Sequence, residues 1–207
     1  MEAIAEAHSI GVVHRDLKPG NLFLSKGPDG SDFVKVLDFG ISKATDPQNA
    51  SGESSLTQTS AVMGSPFYMS PEQMLSARNV SAASDIWAIG VILHQLITGT
   101  LPFAAATPEK VCSRVLNGSP TLLRDVNPNL PAGLEQVVAR CLQRRPQNRF
   151  ANVTDLAIKL IEFAPEHSRR SLTFISDCID PSESAASTVE VKMPVQVDVP
   201  DSPTVVY

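Results

Sequence analysis

The sequence predicts a mainly α-helical domain that carries one short β-hairpin near its start. Apolar residues recur at helical spacing in several segments, most of them in the second half, and two short runs near the start have the composition of strands. The chain has 207 residues, 43% of them hydrophobic and 19% charged, which suffices for one core of ordinary size. We therefore expect one domain and not two.

Five segments have the features of helices. The first spans residues 2–10, and Gly11 is a natural end because glycine readily adopts the left-handed conformation. Residues 82–99 are apolar on nearly every side, which indicates a helix buried in the centre of the domain. Helical spacing, supported in one case by a Thr-Pro start, predicts three more helices at residues 107–118, 131–143 and 153–163.

The two strand candidates lie close together. They are NLFLS at residues 21–25 and FVKVL at residues 33–37, and the Gly, Pro and Asp residues between them favour a hairpin turn. Residues 41–65 follow, rich in Ser, Thr, Gly and Gln with few apolar side chains. We expect this stretch to be a long exposed segment, and segments of this length are usually functional or disordered.

The composition changes after the last predicted helix. Residues 1–163 form the predicted domain, and residues 164–207 are expected to form a flexible acidic tail rich in Ser, Pro and Val. The tail has too little clustered apolar area to offset the entropy cost of ordering it. An alternating run at residues 189–199 leaves an edge strand open as an alternative, because Pro194 would exclude it from the middle of a sheet.

Charge and composition exclude several classes of protein. The net charge is −5 and the predicted domain has no basic excess, so we expect no nucleic-acid partner. No apolar run approaches the roughly 20 residues that cross a bilayer, and no signal peptide is recognisable. The spacing of Cys112, Cys141 and Cys178 disfavours zinc sites and disulfides, so a cytoplasmic location is expected.

Chemistry-bearing residues concentrate in the stretch VVHRDLKPGNLFL, residues 12–24. DFG stands at residues 38–40, seventeen positions after Asn21, and Ser-Pro-Glu at residues 70–72 follows GSPFYM. Taken singly, these residues have plainer explanations as turn residues, strand-end caps or solvated side chains. Their common order and spacing are far more specific than any one of them.

These motifs, together with SDIWAIGVILHQLITGTLPF at residues 84–103 and Arg149 in RRPQNRF, resemble the eukaryotic-type serine/threonine protein kinases in their bacterial form. The resemblance covers residues 1–163. It implies a protein-kinase-like large C-terminal lobe with the hairpin at the catalytic loop, and a transferase that moves the ATP γ-phosphate to a protein hydroxyl. Such a reaction needs positioning and charge neutralisation, which explains the density of polar groups.

The resemblance also implies roles for four residues. Asp16 accepts or orients the proton of the substrate hydroxyl, and Lys18 neutralises the transferred phosphate. Asn21 completes this catalytic set and, with Asp38, holds Mg²⁺ against the nucleotide phosphates. The implied cofactors are ATP and Mg²⁺, bound by Lys18, Asn21 and Asp38. A lysine at position 18 is similar to the serine/threonine branch, so the implied substrate is a protein with serine or threonine.

Four further residues are implied to hold the lobe together, and a fifth is expected in the core. His14 is expected to pack below the catalytic loop, and Glu72 and Arg149 resemble the family's buried ion pair. Asp85 resembles the group that accepts hydrogen bonds from the catalytic-loop backbone. Trp87 is expected in the core because the predicted helix around it is apolar on every side.

The long segment offers candidate sites of regulation. Kinases with an arginine before the catalytic aspartate often use it to bind a phosphate, which gives Arg15 this implied role. The candidate acceptors are Ser54, Ser55, Thr57, Thr59 and Ser60. The alternative is that the segment is merely a soluble loop. Ser65 resembles a residue, commonly threonine, that bonds near the catalytic aspartate.

The small lobe of the kinase fold is expected to be absent, since no GxGxxG motif and no VAIK-like lysine occur in the sequence. We therefore expect the polypeptide by itself to bind ATP weakly, and an upper-lobe or regulatory partner to cover the exposed face. Two alternatives stay open: a noncatalytic pseudokinase-like docking module and a structural remnant. The intact Asp16, Asn21 and Asp38 favour catalysis, and the reading frame upstream of Met1 would discriminate.

Overall fold

Helices dominate the fold. The computed structural model describes residues 1–27, 30–39, 66–76 and 79–177. This part of the chain is mainly helical with one two-stranded sheet, which confirms the predicted class. The helices are α1 (Glu2–Ser9), α2 (Pro71–Leu75), α3 (Ala82–Thr98), α4 (Pro108–Asn117), α5 (Leu123–Val126), α6 (Ala132–Cys141), α7 (Val153–Leu160) and α8 (Arg169–Asp177), and the strands are β1 (Leu22–Lys26) and β2 (Asp32–Val36).

Helix α3 lies in the centre, as predicted. Its buried residues face two apolar clusters on different sides, because the helix is apolar around most of its circumference. Ile86 belongs to the cluster that includes Ile4 of α1 and Leu156 of α7. Trp87 is fully buried in the second cluster, where its ring stacks on Phe103 with centroids 5.4 Å apart. Trp87 is therefore a core residue, as expected.

The five predicted helices are all present, as α1, α3, α4, α6 and α7. Their ends follow the predicted signals: Gly11 after α1 has φ 77°, and Gly99 after α3 has φ 73°. Both values lie in the left-handed region that glycine adopts at low cost. The hydroxyl of Thr107 accepts a hydrogen bond from the Lys110 amide at 3.4 Å and so caps α4.

Helices α3 and α6 approach closely at Gly90. A Cβ atom added to Gly90 would lie 2.5 Å from Cβ of Cys141 and 3.2 Å from Cδ2 of Leu142. The approach also buries the Cys141 side chain, and this burial raises the pKa of its thiol to about 12. Cys141 therefore packs in the core and is no candidate nucleophile.

Gly90→Ala is expected to lower the free energy of unfolding by about 1–3 kcal/mol, because the added methyl group forces two packed helices apart. Urea unfolding followed by circular dichroism measures this loss. Gly20→Ala is the matched control, since a Cβ atom there meets nothing within 4 Å. Equal losses of stability in the two variants would contradict the close contact.

The hairpin packs against the core near its open end and is exposed towards its turn. Strands β1 and β2 are antiparallel, with Leu22 opposite Val36. Both of these residues pack against the cluster of Ile4 and Leu156. By contrast, Leu24 and Val34, which pair with each other further along the same face, are 65% and 51% exposed, and Phe23 on the opposite face is 59% exposed. The hairpin therefore exposes apolar side chains on both of its faces.

Helix α8 continues the packed structure beyond residue 163, although the tail is predicted to start at residue 164. Its Ile175 is buried and clusters with Ala5 of α1 and Ala157 of α7. The Thr154 hydroxyl donates a hydrogen bond to the Ile175 carbonyl at 3.4 Å. Residues 178–207 of the predicted tail lie outside the described residues, so the flexible tail stays a prediction.

Across the described ranges, none of the helices combines the length and the apolar character that spanning a membrane requires.

Candidate active site

The polar groups of the predicted catalytic loop contact one another. Lys18 Nζ lies 2.9 Å from Oδ2 of Asp16, and both side chains are partly exposed. The buried Asn21 side chain donates from Nδ2 to the Asp16 carbonyl at 2.8 Å. This bond identifies Nδ2 as the amide atom of Asn21 that faces the loop. The other amide atom, Oδ1, is an acceptor and therefore points away from the Asp16 carbonyl.

Two hydrogen bonds of the Leu37 backbone bring Asp38 next to this loop. The Leu37 amide donates to the Asn21 carbonyl at 2.9 Å. The His14 ring contributes the second contact, since its Nε2 lies 3.0 Å from the Leu37 carbonyl. Asp38 follows Leu37 directly and has φ 54°, which turns the chain at the end of the hairpin. Residues 16 and 21 are therefore hydrogen-bonded to each other, and residue 38 is the next residue after Leu37, which is bonded to Asn21 and His14.

His14 is a structural residue, as expected. Its side chain is buried, and its ring centroid lies 4.8 Å from that of Phe39. The Asp16 amide donates to Nδ1 of His14 at 3.3 Å, so Nδ1 is an acceptor and Nε2 carries the proton donated to Leu37. Both ring nitrogens are occupied in holding the loop, which leaves neither for proton transfer to a substrate.

Asp85 accepts hydrogen bonds from the catalytic-loop backbone, as expected. Its Oδ2 accepts from the His14 amide at 2.8 Å and its Oδ1 from the Arg15 amide at 2.9 Å. Arg15 has φ 69°, an unfavourable value for a long side chain. The carboxylate of the first turn of α3 therefore holds the residue before Asp16 in a strained conformation.

Glu72 and Arg149 form the expected buried ion pair. The two carboxylate oxygens accept from Nη1 and Nη2 of Arg149 at 2.7 and 2.8 Å. The remaining guanidinium hydrogens reach the backbone carbonyls of Ala83, Gln143 and Arg144. Burial tends to raise the Glu72 pKa, but the hydrogen bonds and charge of Arg149 outweigh it and lower the pKa below 4.5. This pair joins α2 to the helical core.

The stability of the protein should depend on pH through Glu72. The folded protein binds the Glu72 proton more weakly than the unfolded chain, whose ordinary pKa is 4.5. The ion pair therefore stabilises fully above that value, and its contribution is lost as pH falls through the lower pKa of the folded state. Urea unfolding from ~pH 6 to ~pH 3 measures this, and Glu72→Gln should show a weaker decline. Parallel pH curves for the two proteins would contradict the assignment.

Sequence reasoning missed two side chains that hold the catalytic loop. His8 of α1 lies with Nε2 at 2.8 Å from Oδ2 of Asp85, a contact across 77 positions that no local pattern indicates. Gln73 donates from Nε2 to the Arg15 carbonyl at 2.8 Å. A signal for Gln73 exists, because Ser70-x-x-Gln73 is the sequence pattern of a helix capping box.

Several predicted sites lie outside the described residues. These are the acceptor candidates Ser54, Ser55, Thr57, Thr59 and Ser60, and also Ser65 and Gly40 of the DFG motif. Their roles, and the phosphate-binding role of Arg15, stay predictions. Among the described residues, no group of three or more His, Cys, Asp and Glu side chains forms a candidate metal cluster.

Comparison with known proteins identifies the family. The model of the protein kinase domain matches residues 1–179. Serine/threonine-protein kinase Pkn1 of Myxococcus xanthus is 39% identical over 175 residues, which are 82% of this chain and 24% of that protein. Pkn3 of the same organism is 35% identical over 198 residues, covering 90% and 35%. Serine/threonine-protein kinase PknB of Mycobacterium tuberculosis is 34% identical over 160 residues, covering 77% and 24%.

The chain spans between 22% and 35% of the length of these and three other curated relatives that it matches. Their names agree on one activity, and the family model covers all of the described helices. The motifs at residues 14–21, 38–40 and 70–72 fall within the matched region. This chain belongs to the protein kinase family, and within it to the bacterial serine/threonine kinases.

Proposed function

We propose that this chain supplies the catalytic large lobe of a serine/threonine protein kinase, which transfers the γ-phosphate of ATP to a protein hydroxyl. The observation that carries the proposal is the contact of Lys18 with Asp16 at 2.9 Å, beside Asn21, in a chain of this family. A carboxylate and an ammonium group side by side provide a proton acceptor and a counter-charge for a phosphate.

In the proposed reaction, the hydroxyl oxygen of the substrate attacks the γ-phosphorus, and the bond from that phosphorus to the β–γ bridging oxygen breaks. The hydroxyl proton passes to the Asp16 carboxylate, and ADP takes the electron pair of the broken bond. Lys18 neutralises charge on the transferred phosphoryl oxygens. The Asp16 side chain is 20% exposed, so a substrate hydroxyl can reach it.

Asn21 and Asp38 have the donor chemistry that Mg²⁺ prefers, one amide oxygen and one carboxylate. The bond from Asn21 Nδ2 to the Asp16 carbonyl supports this fit, because it directs Oδ1 away from the loop. When bound, Mg²⁺ would supply positive charge against the nucleotide phosphates. Asn21 and Asp38 would hold it, while Asp16 and Lys18 act on the substrate hydroxyl and the transferred group.

The exposed apolar side chains of the hairpin support a partner in this function. Leu24 and Val34 form an exposed pair on one face, Phe23 is exposed on the other, and all three exceed half exposure. We assign these side chains to the contact with the lobe or regulatory partner that covers the nucleotide in the assembled kinase. The same side chains favour the alternative function, a noncatalytic docking module that uses the lobe for binding alone.

Incubation of the full-length protein with Mg²⁺ and γ-labelled ATP tests the proposal. Label is expected on serine or threonine of an added protein substrate or of the kinase itself, as phosphoamino-acid analysis would show. Omission of Mg²⁺ is the control and should abolish the labelling. Absence of transfer, combined with an Asp16→Asn variant of unchanged cellular effect, would contradict catalysis and favour the docking module.

A further inference from the structure

We propose that Gln73 is a positioning residue of the catalytic loop, which fixes the peptide unit before Asp16 and so makes the orientation of this aspartate depend on α2. The proposal deepens the proposed function and rests on it. Gln73 does not touch the reacting groups, and its effect passes through the backbone of Arg15.

The hydrogen bonds around Gln73 determine how its side-chain amide is oriented. Oε1 accepts from the Ser70 amide at 3.1 Å and from the Ser70 hydroxyl at 3.0 Å. Nε2 faces the Arg15 carbonyl at 2.8 Å. In the reversed orientation Nε2 would face the Ser70 amide, which is also a donor, and Oε1 would face the Arg15 carbonyl, which is also an acceptor. Only the orientation in the structure satisfies the Ser70 amide, the Ser70 hydroxyl and the Arg15 carbonyl together.

Gln73 and Asp85 hold Arg15 from its two ends. Asp85 accepts from the Arg15 amide at 2.9 Å, and Gln73 donates to the Arg15 carbonyl at 2.8 Å. The left-handed conformation of Arg15, with φ 69°, persists only if its surroundings compensate for its cost. Loss of the Gln73 bond frees the carbonyl end of the peptide unit between Arg15 and Asp16 and leaves its amide end on the longer bond to His14 Nδ1, at 3.3 Å, so the unit is held less firmly.

The same contact joins two parts of the lobe that are far apart in sequence. Gln73 lies 58 positions from Arg15, in the helix whose Glu72 forms the ion pair with Arg149. Ser70, which orients the Gln73 amide, is fully buried at the start of α2. A displacement of α2 would therefore break the contact with Arg15 and release the peptide that carries Asp16.

Gln73→Glu tests this role, because the carboxylate can still accept from Ser70 but places an oxygen against the Arg15 carbonyl. In the full-length protein we expect kcat to fall about tenfold, with KM for the protein substrate nearly unchanged. Amide hydrogen exchange at Arg15 and Asp16 should become about tenfold faster, while exchange in α3 stays the same. Gln73→Met, which has similar volume and no hydrogen-bonding amide, should show both changes.

Gln143→Glu is the matched control. Gln143 is exposed and its Nε2 also donates to a backbone carbonyl, that of Ala139 at 3.3 Å, but it does not contact the catalytic loop, so kcat and exchange at Arg15 should stay near wild type. Unchanged exchange at Arg15 and Asp16 in both Gln73 variants would overturn the proposal, as would equal effects of Gln143→Glu. A wild type that transfers no phosphate contradicts the proposed function alone, because the exchange rates decide the role of Gln73 separately.

Discussion

Replacing Glu72 with glutamine is expected to lower the free energy of unfolding by about 3 to 5 kcal/mol. Glutamine keeps the shape of glutamate but removes its charge, which leaves the guanidinium of Arg149 buried without a counter-charge. Arg149 is 2% exposed and cannot turn to solvent without breaking its bonds to three backbone carbonyls. The Ser84 hydroxyl, which donates to Oε1 of Glu72 at 2.8 Å, would be disturbed as well.

Urea unfolding measures this loss, and the chain offers a matched control. Lys26 and Asp32 form an ion pair at 2.6 Å on the hairpin, with side chains 68% and 56% exposed. Asp32→Asn is therefore expected to cost less than about 1 kcal/mol. If Glu72→Gln were no more destabilising than Asp32→Asn, the ion pair with Arg149 would not anchor α2 as described.

Asp16→Asn is expected to lower kcat for phosphate transfer by a factor of about 10² to 10⁴, the usual contribution of a positioned proton acceptor. Asparagine has the same size but cannot take the hydroxyl proton. The backbone contacts of Asp16 with His14 and Asn21 do not involve its carboxylate, so the loop should keep its fold.

Steady-state kinetics of the full-length protein, paired with urea unfolding, separate chemistry from folding. A large loss of kcat with a free energy of unfolding within about 1 kcal/mol of wild type supports the role of Asp16. Asp32→Asn again serves as the control and should retain wild-type kcat, because it lies at the far end of β2. Retention of most of the activity by Asp16→Asn would show that another group accepts the proton.

The helices were predictable where local signals and burial agree. The central helix has Ser81 before it, Gly99 after it and apolar residues throughout, and the structure places its ends accordingly. Helix α8 was missed because its segment follows a Pro and lies among polar residues. Among its described side chains Ile175 is the buried one, and that burial comes from α1 and α7, which no window of the local sequence contains.

The part of the candidate site that lies within one sequence motif was predictable. Asp16, Lys18 and Asn21 stand within six positions, so their contacts follow from a short loop. The supports of that loop are distant in sequence. His8 reaches Asp85 across 77 positions and Gln73 reaches Arg15 across 58, and both contacts exist only because α1, α2 and α3 pack around the loop.

The central claim is that Asp16, Asn21 and Asp38 form one site for metal and nucleotide. Titration of Mn²⁺ and ATP into isotope-labelled full-length protein tests it most directly, since Mn²⁺ takes oxygen ligands like Mg²⁺ and broadens nuclear magnetic resonance signals near it. The account predicts that the Asn21 side-chain amide and the backbone amides of Asp16 and Asp38 broaden first, and that Asp38→Asn weakens the effect. Broadening that begins elsewhere and spares these three residues would contradict it.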